Sequence, residues 1–289
     1  VATLTTNVSG LRFQATEFLP KDAPKNITLF CLPGGGVTIE LFDLAPNFSF
    51  ARRMSTKGYR VIMMDHPGTA SNPLPADHGF LKPRQAADYI GHALANWTDG
   101  NPIIGIGHSM GGMIITLIQA HNKSFAAVAL LGSSAGGLDW ALSDEEREYV
   151  EKPRIFERNI EKITLNKFGS DFIEYPNQGP SGKSITFGGE TPELTQRLRD
   201  ITTTLYAAGG MMSMTRGSFR KEVNAIDVPI FFAFGDHDIG IPPEDAPKDY
   251  INAPGKELVV LENTGHNSLA FRSIETLCTR LDHWASNLD

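Results

Sequence analysis

The chain has 289 residues, a net charge of −7 and the composition of an ordinary globular protein, which allows one large domain, or a domain with an insertion, around a substantial core. An acidic chain with no basic stripe argues against nucleic acid as a partner. Its two cysteines, Cys31 and Cys278, make no disulfide scaffold and read as buried free thiols, and no apolar run reaches membrane-spanning length.

Residues 3–18 read as two strands about the turn at Ser9-Gly10. Ile27 to Leu32 is a continuous apolar run, as in a strand buried on both faces, and it ends in Pro33-Gly34-Gly35-Gly36. A helix is expected over 40–57 and a strand over 59–65, followed by a turn-rich loop from His66 to Pro73. Residues 84–97 are amphipathic, with Ala87, Ile90, Ala93 and Leu94 at helical spacing. Residues 102–106 favour a strand, 113–121 a buried helix and 125–131 another buried strand.

The alternation then stops. From 134 to 226 there is no strong strand, but several helix signals. Ser143 and Glu146 form a capping box. Thr191-Pro192 is an N-cap followed by proline at the first helical position. Leu194, Leu198, Ile201 and Leu205 then give one apolar face, stopped by Gly209-Gly210. Residues 169–190, rich in Gly, Pro and Ser, read as a mobile loop. A connection of roughly 90 residues is too long for an ordinary loop. The expected organisation is therefore a core made of 1–134 and 228–289, with a helical cap inserted over 135–227. Strands resume over 228–234 and 257–261, with a short helix over 243–251 and a closing helix over 271–288. Strand and helix alternating in both halves imply an α/β fold, a mainly parallel central sheet covered on both faces.

The rest of the chain is organised around Gly107-His108-Ser109-Met110-Gly111-Gly112. This is a G-x-S-x-G motif between an apolar strand and a helix, the setting a nucleophile elbow requires. The sharp turn puts the serine in strained backbone at a helix N-terminus, where N–H groups face any developing negative charge. A serine nucleophile needs a base, and the base needs an orienting carboxylate. Two later strand ends supply candidates: Gly235-Asp236-His237-Asp238 and Glu262-Asn-Thr-Gly265-His266-Asn267. Both lie at the carboxyl edge of the sheet, where open α/β sheets bind ligands. His66, His108 and His237 with Asp236 and Asp238 have neither the helical His pair nor the Cys spacing of a metal site, so no metal or other cofactor is expected.

On these residues the chain resembles the α/β-hydrolase superfamily, in its cap-bearing, esterase- or lactonase-like members. Residues 107–112 look like the family's G-H-S-M-G-G elbow, Gly235-x-x-Asp238 with Pro242 like its acid loop, and Gly265-His266 like its base loop. Asp65-His66-Pro67-Gly68-Thr69-Ala70-Ser71-Asn72-Pro73 is similar to its D-x-x-G-x-G-x-S-x-x-P segment, with Ala70 in place of the second glycine. The family's oxyanion loop usually reads His-Gly-x, whereas Pro33-Gly34-Gly35-Gly36 has no histidine. The resemblance implies a triad of Ser109, Asp238 and His266, and an oxyanion hole from the N–H groups of Gly35 and Met110, with Gly36 the alternate.

The expected activity is hydrolysis of an acyl bond, in a carboxylic ester or lactone of a small and mainly apolar molecule, through an acyl-enzyme. Thioesterase, acyltransferase or C–C (diketone) hydrolase chemistry on the same triad, or a non-catalytic ligand receptor of the same fold, are the alternatives. Gly36, Trp140, Leu205, Met211, Met212 and Met214 are candidates to line the substrate site. No basic-then-apolar leader opens the chain, so a cytoplasmic protein is expected. A presequence removed before Val1 stays open, and the sequons at Asn7, Asn26, Asn47, Asn96 and Asn122 read as incidental.

Overall fold

The computed structural model describes residues 1–20, 22–174 and 188–288. Strands β1 (Ala2–Val8), β2 (Leu11–Phe18) and β3 (Thr28–Leu32) open the chain. The short β4 (Asp43–Ala45) and β5 (Phe48–Ser49) lead into α1 (Phe50–Thr56). The alternation continues through β6 (Arg60–Met63), α2 (Pro83–Ala95), β7 (Ile103–His108), α3 (Met110–Asn122) and β8 (Ala127–Leu131). Next come α4 (Asp144–Arg147), α5 (Pro153–Phe168), β9 (Phe172–Glu174), α6 (Pro192–Asp200), β10 (Thr204–Tyr206), α7 (Ala207–Met214) and α8 (Arg220–Asn224). β11 (Ile230–His237), β12 (Lys256–Gly265) and α9 (Ile274–Ala285) close the chain.

Eight strands form one sheet in the order β1-β2-β6-β3-β7-β8-β11-β12. The β1–β2 and β2–β6 pairs are antiparallel, and the rest of the sheet is parallel. Successive residues of β3 alternate between two cores: Phe30 and Leu32 pack with α2 and α3, while Leu29 and Cys31 pack with α1 and α9. A strand covered on both faces has no solvent side, hence its unbroken apolar run. From β3 the chain crosses to β6 on one side, and from β7 to β8 on the other. The crevice between the carboxyl ends of β3 and β7 is thus the switch point of the sheet. Among the described residues no helix is long and apolar enough to cross a membrane.

Three expectations change. The helix expected over 40–57 exists only as α1; residues Ile39–Phe42 form one 3₁₀ turn and β4 and β5 follow. Pro46 cannot donate within a helix, and the Ser49 hydroxyl caps Arg52 N at 3.0 Å, so the helix starts after it. The helix opened by Thr191-Pro192 ends at Asp200, short of Leu205. Residues 201–203 pair with a distant loop instead, and Gly209-Gly210 sit inside α7. A side chain at Gly209 would lie within 2.8 Å of the Tyr206 ring and the Met110 sulfur, so that glycine serves close packing. The stretch without strong strands also holds the two-stranded pair β9–β10. Most of the loop expected to be mobile, residues 175–187, lies outside the described residues.

Candidate active site

The elbow is strained as the motif requires. Ser109 has φ 52° and ψ −122°, a region a non-glycine residue occupies at a cost of about 1–3 kcal/mol. Its N–H donates to Leu131 O at 2.9 Å, and its carbonyl accepts Gly112 N at 2.9 Å. A Cβ at Gly107 would fall 2.4 Å from Gly112, and one at Gly111 2.4 Å from Leu32 O, so strand and helix meet closely only because both positions are glycine. Met110 is the first residue of α3, whose leading N–H groups have no acceptor within the helix.

The ends of β11 and β12 bring Asp238 and His266 together. His266 Nδ1 lies 2.7 Å from Asp238 Oδ1, with side chains 7% and 4% exposed. Burial alone would raise the Asp238 carboxyl, but the adjoining His266 and the Ile239 N–H, 2.7 Å from Oδ1, hold it below its ordinary value. The carboxylate therefore fixes the Nδ1–H tautomer, leaving Nε2 as the basic nitrogen. Asp236 does something else. Its two oxygens accept the N–H groups of Asn263 and Thr264 at 2.9 Å each, tying β11 to the end of β12 that leads into His266. Those two bonds pull its carboxyl below the ordinary value.

Two further positions surround this pair: Gly132, which the sequence did not single out, and His108, read only as part of the elbow motif and as a rejected metal candidate. Gly132 follows β8 at φ 56°, and a Cβ there would stand 3.0 Å from Asp238 Oδ2 and 3.2 Å from His266 Nδ1. His108 is wholly enclosed; its Nε2–H donates to His266 O at 3.0 Å, and the two rings lie 4.9 Å apart. Burial, and then the neighbouring His266, push the His108 imidazole down to about 4, so it is neutral at pH 7. For Gly132 the only sequence signal was its place at the sheet's carboxyl edge, and for His108 its place in the G-H-S-M-G-G motif.

The glycine-rich loop after β3 is held along its length. Pro33 O accepts Nε2–H of His66 at 2.8 Å. Gly36 turns at φ 75°, and its carbonyl accepts Thr203 N at 2.9 Å. Val37 and Thr202 form an antiparallel bridge, and Thr38 N donates to Ile201 O at 3.0 Å. Ile39 N donates to Asp65 Oδ1 at 2.8 Å, and Ser71 Oγ donates to Asp65 Oδ2 at 2.6 Å. Leu205 Cδ1 lies 2.8 Å and Met110 Sδ 3.5 Å from where a Gly35 Cβ would be. In the next loop Ala70 stands at φ 40°, the left-handed region the resemblance fills with glycine, and Gly68 faces the Phe172 ring.

The remaining candidates are scattered. Trp140 is 56% exposed, and its indole N–H donates to Ile239 O at 3.0 Å, beside the acid loop. Met211 and Met212 have no exposed surface and share a core cluster with Met110, against which the half-buried Met214 packs. His237 is exposed. Among the described residues no three His, Cys, Asp or Glu side chains gather as a metal ion would need. Cys31 and Cys278 are free, buried thiols, and burial pushes the Cys278 thiol up to about 12.

Comparison with known structures agrees with this fold. A soluble variant of monoglyceride lipase from Saccharomyces cerevisiae superposes with a TM-score of 0.70 at 16% identity, over 97% of this chain and 93% of that one. The enol-lactonase from Burkholderia xenovorans LB400 gives 0.65 at 15% identity, over 98% and 100%. A thermophilic esterase from Thermogutta terrifontis gives 0.64 at 16% identity, over 100% and 99%. At such identities the likeness is one of fold. Among curated protein sequences none matches significantly. The model of the alpha/beta hydrolase family, however, matches residues 29–277, and with that span covered the chain belongs to this family.

Proposed function

We propose that the chain is a serine hydrolase that cleaves a carboxylic ester or lactone of a small, mainly apolar molecule. One observation carries the reading: a buried Asp238–His266 pair, 2.7 Å apart, at the same sheet edge as the strained Ser109. In this reading Ser109 Oγ attacks the acyl carbon and His266 Nε2 takes its proton. Asp238 stabilises the imidazolium that results. The N–H groups of Gly35 and Met110 receive the oxyanion of the tetrahedral intermediate. His266 then protonates the leaving oxygen, and water repeats the cycle on the acyl-enzyme.

Residues 135–227 act as the cap in this scheme and set the choice of substrate. The position of Leu205 against Gly35 supports that role, because it puts an inserted side chain beside an oxyanion donor. The net charge of −7 works against anionic substrates. The test is a panel of esters, lactones and thioesters, with acyl chains graded in size and charge, run on wild type and Ser109→Ala. Multiple turnover of neutral esters or lactones, lost in the variant, is the expected result. Binding without turnover would favour a receptor. Thioester preference, or transfer to an added alcohol exceeding hydrolysis, would replace the ester reading.

A further inference from the structure

We infer that His66, together with the adjacent Asp65, is the positioning brace of the loop 33–39 that presents the Gly35 N–H to the oxyanion. The inference rests on the reading of Ser109 as nucleophile and of this loop as half of the oxyanion hole. Two neighbouring residues at the end of β6 grip the two ends of that loop. His66 holds Pro33 O at 2.8 Å, and Asp65 holds Ile39 N at 2.8 Å. Asp65 and His66 are both 2% exposed, so neither bond competes with water. The donor of the first bond is unambiguous, because a carbonyl only accepts: the proton is on Nε2.

His66 Nδ1 is buried with no hydrogen-bond partner. A buried nitrogen left bare is costly, and an apolar side chain of similar volume would avoid that cost. The single bond to Pro33 O is what a histidine adds here. Burial pushes the imidazole down to about 4, so it stays a neutral donor through the working range of a histidine base. The loop contains Gly34-Gly35-Gly36, the least restrained backbone in any sequence. Without fixed ends its amides would sample many directions, and an oxyanion donor works only when it is already aimed. The brace also accounts for the missing histidine of this loop: an imidazole reaches it from the neighbouring strand end.

The test compares three variants with wild type on a turned-over ester. His66→Leu keeps bulk and removes the donor. His66→Asn keeps an amide one methylene too short to reach. His66→Gln carries an amide nitrogen at about the distance of Nε2. Loss of aim should lower kcat by about 10- to 100-fold with KM within twofold. Affinity for an alkyl boronic acid, which mimics the tetrahedral intermediate, should fall by the same factor. His66→Gln should recover most of both. A purely structural histidine would instead change the melting temperature and leave kcat per folded molecule and boronate affinity alone. If His66→Leu does not fold, the Asn and Gln pair decides. Equal losses in Asn and Gln, or none in Asn, overturn the brace. A wild type that turns over no acyl compound and takes up no fluorophosphonate overturns the underlying reading, and the brace with it. An active wild type with an indifferent His66→Leu overturns the brace alone.

Discussion

The sheet edge that carries Ser109, Asp238 and His266, and the stretch between β8 and β11 that leaves and rejoins it, are held by different means. β3, β7 and β8 are buried along their whole length, and their backbones are bonded on both sides. The stretch between β8 and β11 has no place in that ladder: it packs side chains such as Phe156, Ile160, Tyr206 and Met212 into the shared apolar core and adds polar ties. Arg84 of α2 reaches Glu222 of α8 at 2.7 Å and also Glu157 of α5. Lys167 joins Glu146 at 2.7 Å and Ala141 O at 2.9 Å. Arg197 bonds Leu44 O at 3.2 Å and pairs with Glu40. A sheet whose strands brace one another keeps side chains at its edge in fixed relation. A stretch that packs on the sheet from outside its strand ladder can change its outward side chains without disturbing that relation. If this contrast is right, substitutions at the edge change rate, and substitutions in the insertion change stability or selectivity.

The sharpest test is Ser109→Ala, which should lose on the order of 10⁵-fold or more in kcat with the fold intact. A fluorophosphonate should label Ser109 alone, and a variant within tenfold of wild type would end the nucleophile assignment. Next, Asp238→Asn should cost about 10⁴-fold, because an amide cannot enforce the productive tautomer. Asp236→Asn should cost under about tenfold, since one amide oxygen still accepts from residues 263–264 of β12. The reverse ranking, with both variants folded, would exchange the two roles.

Glu222→Gln probes the insertion. Burial would raise the Glu222 carboxyl, but Arg84 outweighs it, so the folded value lies below the ordinary 4.5. A lowered carboxylate stabilises fully above its unfolded value, and that contribution is lost as pH falls through the folded one. The variant should be less stable by about 2 kcal/mol at pH 7, moderated because Arg84 is 25% exposed and keeps Glu157. The gap should narrow below about pH 4.5, and urea unfolding at both pH values would reveal it. A gap independent of pH would assign the loss to packing.

Leu205→Ala should raise kcat/KM for bulky acyl groups relative to acetyl by about tenfold, the worth of one or two methylenes in a pocket. Uniform change across acyl sizes would remove Leu205 from the acyl site. The smallest effect belongs to Ala70→Gly. At φ 40° the alanine is strained, and the exchange should stabilise by about 0.5 kcal/mol after glycine's entropic cost, with kcat unchanged.

Legibility followed the same division. The buried strands announced themselves because two covered faces leave no polar positions, as in Leu29 to Leu32. The segments around Ser109, Asp238 and His266 stood out because each sets particular residues at short spacing. The insertion was readable only where local chemistry rules, as at the Ser143–Glu146 capping box. It failed at 201–214, where pairing with Gly36 and Thr38 overrides helical periodicity and the glycine pair packs inside a helix. The contacts of His66 and Gly132 were not readable, since they are made to atoms more than 30 residues away: Pro33 O for one, Asp238 and His266 for the other.

The bonds from Thr203 N to Gly36 O and from Thr38 N to Ile201 O bear on how such a protein can be re-engineered or diverge. Read as the cap we propose, residues 135–227 would be the unit to transplant between relatives. Here the graft boundary cannot be drawn at the sheet alone. A foreign segment would have to present a donor facing residue 36 and an acceptor facing residue 38. Without them it would leave two backbone groups stranded on the loop that carries Gly35. Chimeras that change 135–227 but retain 201–205 should keep their catalytic rate while exchanging their substrate preference. Chimeras that replace the whole stretch should lose both together.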